Sequence, residues 1–310
     1  MKTMKLTGFT LALALSAGLL ASCSDDDNNN NNTTLPPIGG YNNAGEVGSA
    51  DLVAYWPLNG NGTESISNTE ASTAVGASYV NTTKGQGLKL TNGYLAYPAI
   101  ANLSASIPSI TVSLWAKITN NAVTDPVTGN ATDGHPIMLF NLSRPAEWAG
   151  NVNFFAESGR LATNDTIQMK ALVVTKREDG TANFQDNVNS PNPSPADLAD
   201  GHTGNPNKNG GTWAHYVMVW DGPTGTLKIF ANGQKISNNK YEVRNGGDAL
   251  PLNFFTPTKP IIGTFQTVLD GNPDGWQRPA NTEIDEIRVW KKSLSGADIN
   301  SLYELEKAGR

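Results

Sequence analysis

Two tryptophans lie in connecting segments of the sequence, each close to polar side chains that could hold a sugar. Trp148 belongs to a short connection, and Trp276 belongs to a longer one between residues 266 and 281. Sugar recognition needs an aromatic face beneath the sugar ring and hydrogen-bonding side chains at its edge. The polar members of the predicted set are Asn141, Arg144, Asp274 and Arg278. The sequence therefore predicts a glycan site here, with each tryptophan packing beneath its own loop as the alternative.

The connection that contains Trp276 also has the first half of a calcium-binding loop. Asp270, Asn272 and Asp274 supply oxygen donors at the first, third and fifth positions, and Gly275 follows at the sixth. The acid that such a loop carries at its last position is missing, because Asn281 stands there. The segment predicts either a calcium site or a polar loop between two strands.

A group of acids near the end of the chain raises the question of acid and base catalysis. Side chains alternate along a strand, so Glu283 and Asp285 would share one face, and Ile287 would come next on that face. Retaining glycoside hydrolysis uses two carboxylates about 5–5.5 Å apart. Because an apolar residue takes the next position, we expect these acids to support the fold. A carboxylate pair that only the fold brings together stays open as an alternative.

The overall composition excludes several other classes of site. The chain has 310 residues, a formal net charge of -6, one Cys and three His. An acidic chain lacks the basic footprint of a nucleic-acid-binding protein. A single Cys rules out an intramolecular disulfide and a zinc cluster built on cysteines.

The N-terminal segment is typical of a secretory signal. Two lysines precede a short apolar run that ends in Leu-Ala-Ser-Cys, which resembles the lipobox of bacterial lipoproteins. The resemblance implies that residues 1–22 are removed and that Cys23 is lipidated. Acids directly after Cys23 resemble the surface-export signal of Bacteroidetes lipoproteins, which implies an anchor on the outer face of the outer membrane. Residues 23–48 are mostly polar, so we expect a disordered tether.

The remaining segment, residues 49–310, predicts one β-sandwich domain. Residues 110–118 alternate apolar and polar side chains, and similar runs recur between Gly-, Asn- and Pro-rich turns. One helix is expected near the end, where Ser295 can cap a segment with an apolar stripe that includes Ile299 and Leu302. The sequence therefore predicts an all-β, two-sheet antiparallel β-sandwich, or jelly roll, with a short C-terminal helix.

Several of these runs, taken in order, resemble the laminin-G-like branch of the concanavalin A-like lectin/glucanase superfamily. The runs are Leu52–Gly60, Gly87–Tyr97, Ile110–Ala116, Trp213–Asp221, Gly225–Lys235 and Ile284–Trp290. The resemblance implies a concanavalin A-like sandwich and a structural calcium held by Asp285 and an acid of the opening loop, where Glu64 stands. Glucan-cleaving members carry Glu-x-Asp-x-(x)-Glu on one strand, and that motif is incomplete at residues 283–288.

These features together predict a cell-surface lipoprotein that binds glycans without cleaving them. Its partners would be a polysaccharide or a host glycan, together with outer-membrane glycan-uptake proteins, and its N-terminal lipid would be its only contact with the membrane. Two alternatives stay open: a protein-adhesion or structural module, and a glycoside hydrolase or lyase with an unrecognised carboxylate pair. A flat apolar patch would favour adhesion, and two facing carboxylates in a groove would favour the enzyme.

Overall fold

The computed structural model describes residues 35–310, apart from residues 83, 125–126, 129–130, 133 and 162–164. The predicted signal peptide, Cys23 and the first part of the predicted tether lie outside the described residues. Residues 36–310 form one compact unit, which contains all the elements below. Within the described ranges, no helix has both the length and the apolar character needed to cross a membrane.

Most of the described chain is β-structure, and the helices are short except for one. The strands are β1 (Leu52–Trp56), β2 (Thr73–Thr82), β3 (Gly85–Ala96), β4 (Ser109–Lys117), β5 (Val123–Thr124), β6 (Ala131–Thr132), β7 (Ile137–Arg144), β8 (Glu147–Ala156), β9 (Met169–Lys176), β10 (Ala182–Val188), β11 (Trp213–Asp221), β12 (Thr226–Ala231), β13 (Gln234–Lys235), β14 (Pro260–Ile262) and β15 (Ala280–Trp290). The α-helices are α1 (Pro195–Ala199), α2 (Gln266–Leu269) and α3 (Gly296–Lys307). Short 3-10 helices cover Ala44–Glu46, Ser49–Asp51, Ala101–Leu103, Gly222–Thr224, Asn239–Tyr241 and Asn245–Gly247.

The long strands form one antiparallel network that curls into the two layers of a β-sandwich. The first layer has the order β10-β9-β8-β7-β14, and the second has the order β15-β4-β11-β12-β13. β3 joins the layers, because it pairs with β14 of the first and with β15 of the second. β1 pairs with β15, and β2 pairs with β3. This architecture confirms the predicted all-β sandwich.

The core lies between the inner faces of the two layers, where the alternating strands place their apolar side chains. Ile110, Val112 and Leu114 of β4 are completely buried, as the alternation of residues 110–118 predicts. Trp56 of β1 packs against Phe140 of β7 with 5.6 Å between ring centroids, so it connects strands of both layers. Burial of such large side chains stabilises the fold by roughly 1.5–3 kcal/mol each.

The predicted C-terminal helix is confirmed as α3, which covers the outer face of the second layer. The Ser295 hydroxyl accepts a hydrogen bond from the Asp298 backbone N–H at 3.1 Å and caps the first turn. Ile299 and Leu302 are completely buried in a second apolar cluster, which also contains Trp290 of β15. Packing of this apolar stripe stabilises the helix, since a free helix of this length is marginal in water.

Part of the segment predicted as a tether is instead packed on the domain. Residues 36–48, which we call the strap, run over α3 and place Ala44 and Val47 at 2% and 1% exposure in the same apolar cluster. The Arg310 guanidinium donates a hydrogen bond to the Pro36 carbonyl at 3.0 Å. The prediction that residues up to 48 are disordered is therefore wrong for the strap, because its few small apolar side chains find an apolar surface on α3 to cover.

Candidate functional site

The outer face of the first layer brings together the two tryptophans that the sequence singles out. The rings of Trp148 and Trp276 meet edge to face, with 5.2 Å between centroids and 78° between planes. Trp276 makes a second edge-to-face contact, at 5.3 Å, with Phe265. The two tryptophans therefore form one aromatic cluster, although Trp148 lies at the start of strand β8, and not in a connection as predicted, whereas Trp276 lies in a loop.

Two local structures hold these rings in place. The turn between β7 and β8 has Ala146 in the left-handed region with a φ of 58°, and Trp148 follows near the start of β8. Trp276 lies in the loop after α2, and this loop closes on the buried side chain of Gln277. The Gln277 amide accepts a hydrogen bond from the Asp274 backbone N–H at 3.1 Å and donates one to the Asp274 carboxylate at 3.0 Å. These bonds fix the loop next to Trp276.

A cavity of about 360 Å³ opens beside the tryptophans, and we call it the tryptophan cavity. Its walls combine aromatic and apolar side chains with a polar rim. The side chains that line it and are used below are Trp148, Phe155, Trp276, Glu157, Arg160 and Lys170. This volume lies at the lower end of the range for small-ligand sites, which are mostly apolar with a few polar groups.

The charged groups at the rim are joined in ion pairs. The Arg160 Nε atom lies 2.7 Å from a Glu157 carboxylate oxygen, and the Lys170 Nζ atom lies 3.5 Å from the other. Lys170 is also 2.9 Å from Asp186 on β10. Each cation at the rim therefore has a carboxylate partner, which balances the local charge and orients the donors.

Two glycines allow the backbone to come close at one side of this cavity. A Cβ atom placed on Gly159 would lie 2.2 Å from the carbonyl carbon of Gly134, far inside van der Waals contact. Any larger residue at Gly159 would push the two segments apart. The shape of the rim thus depends on this pair of glycines.

Asp274 and Arg278 lie in the loop that carries Trp276, and both side chains are exposed. The Arg278 Nε–H donates to the Gly275 carbonyl at 3.0 Å, while the Asp274 carboxylate is held by Gln277 as described above. Neither belongs to the described residues that line the tryptophan cavity. The structure places them beside the site, on its supporting loop.

Asn141 and Arg144 do not match the predicted role at the edge of a sugar ring, because both are buried. Asn141 is completely buried on β7, and its amide donates to Asn153 at 2.9 Å. Arg144 is 4% exposed, and its Nε–H donates to the Ala149 carbonyl at 2.5 Å. Its guanidinium lies 4.9 Å from the centre of the Phe255 ring. Both side chains stabilise the β7–β8 region, and neither is positioned to contact a ligand.

Residue type alone does not identify the other residues that line the tryptophan cavity, which are Phe155, Glu157, Arg160 and Lys170. For Phe155, however, the alternation of the strand provides an indication. Alternation along β8 sends Val152 and Phe154 into the core and Phe155 to the outer face. An aromatic residue on an outer face suggests either a covering element or a ligand. The three charged residues join the site only because β8, β9 and the connection between them meet there.

Glu64, predicted as a calcium ligand, is fully buried and surrounded by donors. Its carboxylate accepts hydrogen bonds from the backbone N–H groups of Tyr55 at 2.7 Å, Ile66 at 2.9 Å and Ser67 at 2.7 Å, and from the Ser67 hydroxyl. A calcium ion needs oxygen ligands turned toward it, and these N–H groups would oppose a cation. Glu64 therefore holds the opening loop in shape and does not fit a metal site.

Asp285 and Glu286 lie at a β-bulge that the alternation pattern does not predict. Glu286 has a φ of 52°, and the register of β15 against β4 shifts between Asp285 and Arg288. The extra residue turns Ile287 into the core, while Arg288 joins Asp285 on the outer face. The expectation that Ile287 shares a face with Glu283 and Asp285 is therefore wrong.

The bulge creates a buried group of charges between the second layer and α3, which we call the ionic cluster. Arg288 stands at its centre, with one guanidinium nitrogen 2.6 Å from Glu286 and another 2.5 Å from Glu306 of α3. Lys84 lies 3.1 Å from Glu286. Asp285 accepts hydrogen bonds from the Thr82 hydroxyl and the Glu286 backbone N–H, each at 2.9 Å.

Burial governs the protonation of this region. Desolvation, and then the neighbouring Glu286, raise the pKa of Asp285 to about 7. Burial, together with the charge of Arg288, lowers the pKa of His215 to about 3, so that its ring is neutral at neutral pH. The neutral ring is hydrogen-bonded to the Ser113 hydroxyl at 2.6 Å.

The ionic cluster offers no room for a sugar. The cavity beside Asp285, Glu286 and Glu306 has a volume of about 10 Å³, which is at the lower limit for a single water molecule. Glycoside hydrolysis needs a groove that admits the substrate between two carboxylates. The carboxylates of this cluster therefore hold the fold and do not form a hydrolytic site.

The other predicted calcium site, the loop with Asp270, Asn272 and Asp274, has exposed side chains. Asp270 accepts a hydrogen bond from Gln266 at 2.8 Å, and Asp274 accepts one from Gln277. In the described part of the chain, no three His, Cys, Asp or Glu side chains form a group that could hold a metal. Calcium at this loop stays a prediction from the sequence.

One family matches the sequence over just over half of its length. The family model described as Laminin_G_3, concanavalin A-like lectin/glucanases superfamily, matches residues 144–300. This range contains both Trp148 and Trp276. No curated protein sequence matches the chain.

Two solved structures share the fold at low sequence identity, and a third is similar with a lower TM-score. The binding domain of Paraclostridial Mosquitocidal Protein 1 has a TM-score of 0.52 at 14% identity, over 82% of this chain and 52% of that one. The botulinum neurotoxin serotype G binding domain has a TM-score of 0.52 at 10% identity, over 83% and 52%. Domain 4 of a Geobacillus stearothermophilus GH43 arabinanase, in complex with arabinotriose, has a TM-score of 0.46 at 18% identity, over 82% and 98%. The chain matches about half the length of the two toxin domains.

Proposed function

Because this chain belongs to the concanavalin A-like lectin/glucanases superfamily, we propose that it is a non-catalytic module that binds a polysaccharide or a host glycan. The observation that carries the proposal is the contact of Trp148 and Trp276 in one cavity. Trp276 is 36% exposed, so it presents apolar surface to solvent although two aromatic neighbours hold its ring. The C–H groups of a sugar can cover that surface while its hydroxyl groups reach the rim.

The polar rim suits hydroxyl groups, which both donate and accept hydrogen bonds. The Glu157 carboxylate accepts, while the Arg160 guanidinium and the Lys170 ammonium group donate. Their ion pairs hold them in defined positions before a ligand arrives, which lowers the entropic cost of binding. An aromatic floor with an oriented polar rim therefore supports sugar recognition.

The arrangement of carboxylates supports binding rather than hydrolysis. Among the described residues, Glu157 is the one carboxylate that lines the tryptophan cavity. Both retaining and inverting hydrolysis need two carboxylates that flank the bond to be cleaved. The acids of the ionic cluster lie in a closed interior, so they do not supply the second group.

The test is a glycan array followed by titration calorimetry on the glycan that binds best. We expect Trp276→Ala to weaken binding about tenfold or more, which corresponds to about 1.4 kcal/mol. Trp213→Ala is the matched control, because Trp213 is half-buried and lines the small cavity at the ionic cluster instead. Circular dichroism of both variants verifies the fold.

Two results would contradict the proposal. One is the absence of binding to any glycan by the wild-type protein. The other is a Trp276→Ala protein that binds as tightly as the wild type. Titrations with and without a calcium chelator show in the same assay whether calcium at the Asp270 loop contributes, since loss of affinity without calcium is what that site predicts.

We further propose that Cys23 carries the lipid of an outer-membrane anchor, with the domain exposed at the cell surface beside glycan-uptake proteins. The support is the sequence itself, where the single Cys directly follows Leu-Ala-Ser after an apolar run. Detergent phase partition should place the wild type with the membrane fraction and Cys23→Ser in the aqueous phase. Equal partition of the two would contradict lipidation.

A further inference from the structure

A second cavity, of about 220 Å³, opens near the tryptophan cavity and is more polar. We call it the tyrosine cavity, because Tyr241 is the aromatic residue with the larger exposed area in it. The lining side chains used below are Gln168, Ser190, His202, Asn238 and Tyr241. The proposed function above does not involve this cavity.

The walls of the tyrosine cavity are fixed by hydrogen bonds. Asn238 is 1% exposed, and its amide lies 2.8 Å from the Ser190 hydroxyl and 2.9 Å from His202 Nδ1. The His202 ring meets Tyr241 edge to face at 5.2 Å. The cavity is therefore preformed, with its aromatic groups held by one buried amide.

Tyr241 provides the same chemistry as Trp276, on a smaller scale. Its side chain is 38% exposed, and its ring stands against His202 with 73° between the ring planes. Amide, hydroxyl and imidazole groups and the Asp197 carboxylate line the cavity around it. An exposed aromatic face among planar polar groups is what a single sugar unit requires.

The two cavities lie next to each other. Glu157 lines the tryptophan cavity and Gln168 lines the tyrosine cavity, and the Gln168 amide donates a hydrogen bond to the Glu157 carboxylate at 3.1 Å. The consecutive residues Arg160 and Leu161 line one cavity each. One hydrogen-bonded pair and one peptide bond thus connect the two cavities, so a chain-like ligand can contact both.

The charges around this surface favour an uncharged ligand. Arg160 is paired with Glu157 at 2.7 Å, and Lys170 is paired with Asp186 at 2.9 Å. Each cation at the rim is therefore already neutralised. The net charge of -6 on the whole chain also repels polyanions.

From these observations we infer that the ligand is a neutral, linear oligosaccharide that occupies both cavities, with one part on Trp276 and another on Tyr241. The inference rests on the proposed glycan binding and names the substrate class. Binding at two adjacent sites makes the second contact intramolecular, so affinity rises with chain length until both cavities are filled.

The experiment uses the full chain and titrates neutral oligosaccharides of increasing length, from disaccharide to hexasaccharide, derived from arabinan, xylan, mannan and β-glucan. Galacturonan oligosaccharides of the same lengths are the charged probes. For the neutral series that binds, we expect an increase in affinity of about tenfold or more with length. We expect Tyr241→Ala to remove that increase while the disaccharide affinity stays within about twofold of wild type.

Two further variants serve as controls for the Tyr241→Ala result. Tyr241→Phe keeps the ring and should retain most of the length dependence. Tyr94→Ala, a tyrosine change on β3 that lines neither cavity, should leave all affinities unchanged. Trp276→Ala should weaken short and long oligosaccharides alike.

The outcomes separate this inference from the proposed function. Binding that depends on Trp276 but not on chain length or Tyr241 overturns the inference and keeps the proposed function. Tighter binding of galacturonan than of every neutral series overturns the choice of a neutral ligand. A wild-type protein that binds no probe in the panel overturns the inference, and the proposed function falls with it only if the glycan array also shows no binding.

Discussion

Asp285 shows how much a single buried side chain determines in this protein. It is 3% exposed, and burial, followed by the charge of Glu286, raises its pKa from 3.8 to about 7. Between about pH 4 and pH 7 the unfolded chain has released a proton that the folded chain keeps. The free energy of unfolding must therefore fall as the pH rises through this window.

Replacement of Asp285 by Asn should remove this pH dependence, because an amide does not titrate. As the pH rises from about 5 to about 8, we expect the unfolding free energy of Asp285→Asn to increase by about 2–3 kcal/mol relative to that of the wild type. Urea unfolding at the two pH values measures the difference. If the unfolding free energies of the variant and the wild type differ by the same amount at both pH values, Asp285 is ionised in the folded state throughout.

Residue types predict part of the site, and the reason for the rest is burial. Trp148 and Trp276 are identifiable because large aromatics in polar connections are unusual. Asn141 and Arg144 have equally suitable chemistry, but the sequence does not show that both are buried, Asn141 beside Asn153 and Arg144 against Phe255. Lys170 could not be predicted either, because it is distant in sequence from both tryptophans and lies at the rim only through the pairing of β9 with β8.

At the level of elements, the attachment of α3 depends on one buried cation. Arg288 of β15 lies between Glu286 on its own strand and Glu306 on the helix, and all three are less than 4% exposed. The Trp115 indole N–H adds a hydrogen bond to Glu306 at 2.8 Å. The helix is thus attached by charge as well as by its apolar stripe.

Removal of that cation should be far more costly than removal of an exposed one. Arg288→Met removes the guanidinium that two buried carboxylates share, although Lys84 still lies beside Glu286, and we expect a loss of about 3–5 kcal/mol in unfolding free energy. Lys292→Met is the matched control, since Lys292 is exposed and lies 3.9 Å from Asp51, and it should change stability by less than about 1 kcal/mol. Chemical denaturation of both variants tests this, and equal losses would contradict it.

Elements with unbroken alternation, such as β4, can be predicted from the sequence with the correct buried face. The buried face of β15 could not be predicted in this way, because the bulge at Glu286 exchanges the inward-facing and outward-facing positions halfway along the strand. The spacing of the apolar residues at positions 284, 287 and 289 of β15 indicates this bulge. The step from 284 to 287 is one residue longer than regular alternation gives. A break in period inside a strand therefore indicates a bulge.

For the whole molecule, the strap changes where the folded domain begins. Val47 is buried against α3, and the Tyr41 hydroxyl donates a hydrogen bond to Asp298 at 2.8 Å. The tryptophan cavity lies on the outer face of the first layer, whereas the strap lies on α3 outside the second layer. The chain thus joins the domain on the side away from the proposed ligand.

A change in the strap should affect stability without affecting binding. We expect Val47→Ala to lower the free energy of unfolding by about 1–3 kcal/mol, because it removes buried methyl groups from a packed cluster. Val243→Ala, at a valine that is 59% exposed, should cost less than about 0.5 kcal/mol. Urea unfolding gives both values, and a neutral Val47→Ala would mean that the strap is a free tether after all.

The position of the strap has a mechanical consequence. If a bound glycan pulls on the tryptophan cavity while the chain is held at Pro36, the sandwich and the strap contacts carry the same force, because they lie in series between the two points. Those contacts are the buried side chains of Ala44 and Val47, with Ile38 and Tyr41 packed beside them, and a few hydrogen bonds, so we expect them to yield before the strand network does. The released segment would add up to about 40 Å of extension, at roughly 3.3–3.6 Å per residue. We therefore expect the strap to detach and extend under load while the β-sandwich stays folded.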